Sequence, residues 1–251
     1  IQTSGKIILS NVSYSGLKSP IRIPSGKLNF TPSKIDISDF KIVSGNSDLA
    51  LTGSFSNYLP YFLYEGVLSG DLKINSDNID MIELMELLPS DSTAQKPALD
   101  SLSQKSPNQE MNVISIPTNY DFKLIASVNK SKYEALPLSN IRLAAVVKNG
   151  AVTVSNFSAN AGGSEVKLYG NYGNSEKPTL FSAGGSLKAF DIATFYNALP
   201  TLKKMIPEAA NATGKADAQF KVEGKHVADF TISSLAGSAT LREFQYADKT
   251  L

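Results

Sequence analysis

One histidine and no cysteine stand among the 251 residues, so few side chains are available for metal binding or nucleophilic catalysis. His226 lies in "EGKHVADF" without carboxylates at ligand spacing, and its hydrophilic neighbours place it on a solvated turn or strand edge. Asp36, Asp39 and Asp48 come nearest to a set of paired carboxylates, yet alternation with apolar residues makes them the polar face of strands. Serine catalysis lacks a Gly-x-Ser-x-Gly elbow, and His226 would be its sole base. The glycine stretches "SGNSD" (44–48), "NAGGSE" (160–165) and "SAGGS" (182–186) match neither a phosphate loop nor a dinucleotide fingerprint and read as turns. The chain is therefore expected to be no enzyme, with no metal and no cofactor.

Twenty-four basic and 23 acidic residues nearly cancel, so no long-range field favours nucleic acid or an anionic surface. A hydrophobic share of 42% suffices for a core, in one large all-β unit or two smaller ones. The chain opens "IQTSGKIILS" and nowhere holds 18 apolar residues in a row. It is expected to be a soluble, monomeric fragment of something longer.

The positioning elements come from a repeat. "DISDFKIVSGNSDLALTGSF" (36–55) overlays "TVSNFSANAGGSEVKLYGNY" (153–172) at a shift of 117. Ser38, Phe40, Gly45, Ser47, Leu51 and Gly53 meet Ser155, Phe157, Gly162, Ser164, Leu168 and Gly170. The three aspartates meet Thr153, Asn156 and Glu165, so the repeat does not keep their charge as a set. Downstream, "SGDLK" (69–73) meets "GGSLK" (184–188), and Asp80 meets Asp191. A third copy is expected where "GKIILSNVSY" (5–14) overlays "GSATLREFQY" (237–246) at a shift of 232. Long internal periods signal a unit stacked on its neighbour, two independent domains of one kind being the alternative.

Within each copy the period is two: "KIDISDFKI", "DLALTGSF", "AVTVSNFSA" and "EVKLYGNY" alternate apolar with polar and predict half-buried antiparallel strands. Each copy closes on a helical stretch, "DMIELMELLP" (80–89) and "DIATFYNALPTLKKMIP" (191–207), with Asp80 and Asp191 as N-caps. The expected organisation is a first β repeat over 1–88, a polar flexible loop over 89–116, a second repeat over 117–210 and the start of a third over 211–251. The fold class is mainly β: repeated antiparallel meanders forming an extended curved sheet or open half-barrel, with short helices closing each repeat.

Both copies keep an apolar side. Two such sheets could bury each other as a sandwich, giving a structural or adhesive protein that binds protein or glycan through its loops. A sheet that fails to close would instead line a trough for acyl chains, and periodicity does not choose between the two. Candidate lining residues are Ile35, Ile37, Leu49, Leu51, Val152, Val154, Val166 and Leu168.

The order of elements in "SGKLNFTPSKIDISDFKIVSGNSDLALTGSF", "SGDLKINSDNIDMIELMELL" and "GGSLKAFDIATFYNALP" resembles the AsmA-like proteins of Gram-negative bacteria. The resemblance covers most of 5–88 and 121–200 and resumes near 213. It implies a taco-like groove in the periplasm, a membrane anchor outside this stretch, phospholipid acyl chains as partners, and a part in lipid transport and outer-membrane assembly. The polar segment after Pro89 departs from the pattern and puts continuity of the groove at issue.

Overall fold

The computed structural model describes residues 4–16, 19–80, 116–173, 178–227 and 230–247. Their strands form one sheet of twelve, hydrogen-bonded strictly in chain order. The first five are β1 (Gly5–Tyr14), β2 (Ile21–Phe30), β3 (Lys34–Ser44), β4 (Ser47–Ser56) and β5 (Leu68–Asp80). The next five are β6 (Tyr120–Tyr133), β7 (Leu136–Lys148), β8 (Ala151–Ala161), β9 (Ser164–Gly173) and β10 (Thr179–Asp191), followed by β11 (Ala212–His226) and β12 (Phe230–Tyr246). The sheet is curved and open, with β1 and β12 as its edges. It matches the extended sheet anticipated from the period-two runs, and the described strands do not form the two facing sheets of a sandwich.

All neighbours are antiparallel except β5 and β6, which run parallel from Leu68↔Tyr120 to Asp80↔Lys132. Antiparallel neighbours need only a short turn, whereas a parallel pair needs a crossover. Residues 81–119 make that connection, and the sheet continues across it without a break. The expected helix after Asp80 and most of the expected polar loop lie outside the described residues; Asp80 itself ends β5.

Two segments interrupt the meander. Helix α1 (Tyr58–Tyr64) joins β4 to β5, and α2 (Ile192–Ala198), α3 (Pro200–Met205) and a 3-10 turn (Pro207–Asn211) join β10 to β11. The second group follows the sequence signals: Asp191 caps α2 by accepting the Thr194 N–H at 2.7 Å, and Pro200 starts a new helix after Leu199. Helix α1 carried no such signal, because "YLPYFLY" is apolar on every side and too short to display a period.

The overlay of the two copies lays β3 on β8, β4 on β9 and β5 on β10. It also explains a break in alternation. Ile35 and Ile37 are followed by Phe40, an interval of three, and Val154 is followed by Phe157. In both copies the register shifts at that interval, so a β-bulge returns the phenylalanine to the face of the preceding aliphatics. Asp39 occupies the first bulge at φ 54°, tied to the Lys27 ammonium at 2.8 Å. The third overlay behaves differently: it lays β1 on β12, whereas β12 is the second strand after the helices, so sequence overlay and strand order differ there by one strand.

Gly45 and the pair Gly162–Gly163 form the expected turns with positive φ. "SAGGS" does not. Residues 182–186 lie inside β10, each paired to both β9 and β11, and their glycines make room for the side chains of Tyr169 and Leu168. Gly53 faces Ile37 beside the first bulge at φ 140°, where a Cβ would collide with the Asp71 carbonyl oxygen. Replacing Gly53 with Ala should therefore cost about 2 kcal/mol or more. Gly5→Ala, with open space around it, should be nearly neutral, as read from urea unfolding midpoints of the two variants.

Candidate functional site

Pairing register decides which side chains share a face, because residues opposite one another in a ladder project to the same side. One row crosses the whole sheet. Ile7, Leu28, Ile37, Gly53 and Leu72 carry it over β1 to β5, and Leu124, Ala145, Val154, Gly170 and Ala183 carry it over β6 to β10. Val222 and Leu235 complete it. All twelve positions are aliphatic or glycine. The next residue along each strand gives the opposite face: Lys6, Asn29, Asp36, Ser54 and Asp71, then Lys123, Val146, Thr153, Asn171 and Ser182, and finally Glu223 and Ser234. Eleven of those twelve are polar, so the sheet has one apolar and one wet side.

Every candidate lining residue lies on the apolar side. Ile37 and Val154 belong to the row just traced. Ile35 connects through Phe55, Gly70, Phe122 and Val147 to Val152. Leu51 connects through Ile74, Ala126, Leu143 and Phe157 to Leu168. Leu49 packs on a cluster of Ile79, Val128, Ile141 and Ala159, and Val166 pairs with Ala159. The two copies thus contribute to one surface.

Coverage of that surface is uneven. Near β9, Val166 is buried with Leu136, Ala161 and Phe195 of α2, and Leu168, Leu199 and Leu202 pack around them. There helices α2 and α3 roof the sheet, so Val166 and Leu168 face core rather than an open channel. Ile35, Leu51, Val152 and Val154 are half-buried and belong to neither buried cluster. They define the open part.

Aromatic rings pave the bare stretches in a pattern that periodicity did not expose. Phe55 of β4 and Phe122 of β6 meet edge to face at 5.9 Å across Gly70 of β5. Phe181 of β10 and Phe230 of β12 do the same at 5.1 Å across β11, where Gly224 lies beneath Phe181. In each case a middle glycine lets rings from the flanking strands touch, burying apolar area that a single layer would otherwise expose.

His226 departs from expectation. It is 2% exposed, its Nδ1 lies 2.8 Å from the Tyr172 hydroxyl, and its ring stacks on Phe230 at 4.2 Å. Hydrophilic neighbours such as Glu223 and Lys225 suggested a solvated site, but counting by twos from Phe220 through Val222 and Gly224 lands on the apolar face. The aspartates are kept apart: Asp36 pairs with Lys34 at 2.6 Å and Asp39 with Lys27, while Asp48 accepts the Asn78 N–H at 2.8 Å. Among the described residues no group of three or more histidines and carboxylates could hold a metal ion, and no helix is long and apolar enough to cross a membrane. No protein-family model matches the chain, and no curated protein matches it at a significant level.

Asp191 anchors the roof. Its hydrogen bonds from Thr194 hold its carboxyl below the ordinary aspartate value. A carboxyl depressed by folding contributes stability above its unfolded pKa and loses it as pH falls through the folded value. Asp191→Ala should therefore cost about 1 kcal/mol at neutral pH. The gap from the parent protein should shrink below about pH 4, measured by denaturant titration at several pH values.

Proposed function

We propose that the chain is a non-enzymatic lipid-shielding segment whose apolar side holds phospholipid acyl chains. The observation that carries this reading is the row of aliphatic and glycine positions across twelve strands, with no polar side chain in it and no second sheet facing it among the described residues. Such a face is costly in water, and each methylene it removes from water is worth about 0.8 kcal/mol. Around Leu51 and Val154 the neighbouring rows through Ile35, Ile37 and Leu51 present only apolar side chains and glycine to an acyl chain. Length supports the reading too: a row of twelve strands at roughly 4.8 Å spacing extends well beyond one acyl chain.

The resemblance of the element order to AsmA-like proteins supports the same reading. On that basis we propose a place in the periplasm, anchorage through a segment outside this stretch, and a contribution to phospholipid transport and outer-membrane assembly.

Native mass spectrometry of the protein purified without detergent, with extraction of bound lipid, tests the reading. Phospholipid at defined stoichiometry is expected. Leu51→Asp, placed in the open stretch away from the helical roof, should lower the lipid-bound fraction about tenfold or more while the β signal in circular dichroism persists. A lipid-free mass with no uptake of fluorescent fatty acid would instead favour binding of protein or glycan through the loops.

A further inference from the structure

Among the described residues, helix α1 carries the two most exposed large hydrophobic side chains, Tyr64 at 79% and Phe62 at 73%, beside Leu63 at 63%. From Asn57 to Tyr64 there is no acidic or basic residue. An apolar cluster of this kind marks a contact surface. Its connections say with what. The Tyr61 ring meets Tyr120 at 5.9 Å, with the two hydroxyls 3.3 Å apart, and Tyr120 meets Phe122 at 5.3 Å. Phe122 lies in the row that joins Ile35 to Val152, so a continuous aromatic path runs from the helix into the trough. On the other flank Tyr58 and Leu59 border a cavity of about 510 Å³ together with Ile7 and Phe30.

We infer that α1 is the lip by which the trough docks on a lipid bilayer. This rests on the lipid-shielding reading and adds the surface from which the lipid comes. Rings that carry hydroxyls suit the boundary between headgroups and hydrocarbon, where one end of the side chain is apolar and the other wet. The order of antiparallel strands brings a second apolar tip to the same end of the sheet: Val227, beyond β11, is 62% exposed. The opposite end is roofed by α2 and α3. A helix without basic side chains gains nothing from anionic headgroups, so zwitterionic lipid suffices.

The chain has no tryptophan, which makes Phe62→Trp a single reporter. With phosphatidylcholine vesicles its emission should shift to the blue and be quenched by brominated lipid; unshifted emission overturns the inference, whatever the trough binds. A shift that grows with protein concentration without vesicles means that a second copy covers the helix, and overturns it too. Replacing Phe62 and Leu63 together by Ser should weaken vesicle partitioning about a hundredfold, on the order of tenfold for each side chain no longer leaving water. Uptake of a dispersed fluorescent fatty acid, which needs no bilayer, should be unchanged, and undiminished vesicle binding by this variant would refute the lip. If the parent protein takes up no dispersed fatty acid yet docks on vesicles, the trough reading fails and the docking surface stands.

Discussion

A sheet with one apolar side must keep that side constant from strand to strand, since a slip of a single residue would send a whole strand's aliphatics into water. Twelve consecutive strands satisfy this condition, and the irregularities serve it. The bulge in β3 and its counterpart in β8 restore Phe40 and Phe157 to the face that strict alternation would have taken from them. Polar groups hold such irregularities in place. Asp217, paired with Arg242 at 2.6 Å, accepts the Ala189 N–H at 2.6 Å beside the register shift of β10, and Asp48 accepts backbone N–H groups from β5.

A single layer also has to do without the second layer that buries most sheets. Two devices take its place. Helices α2 and α3 roof one end, and rings reaching across glycines pave part of the remainder. Neither device covers the stretch around Leu51 and Val154 completely. The proposed function rests on that incompleteness, because an apolar face left half-covered is costly in water.

Much of this was legible in the sequence. Alternation along "KIDISDFKI" and "EVKLYGNY" located the strands and put all eight candidate residues on one face, because side-chain period in a strand is a local property. Three features needed long-range information. Whether Val166 meets a helix or open space depends on where α2 folds back. "SAGGS" looks like a turn until its neighbours demand close approach. His226 has polar neighbours in sequence and aromatic ones in space, and only the phase of the strand revealed which set mattered. The parallel junction of β5 and β6 left no local trace, since neither strand differs in composition from its antiparallel fellows.

That junction bears on how the molecule assembles. Every other ladder joins strands that follow one another across a much shorter stretch of chain, so each meander can zip up by adding one neighbour at a time. Pairing β5 with β6 requires closing the loop formed by residues 81–119 before any of its hydrogen bonds is gained. Topology therefore predicts two fast local processes and one slower joining event in folding. The continuity of the apolar face across all twelve strands is decided at that junction.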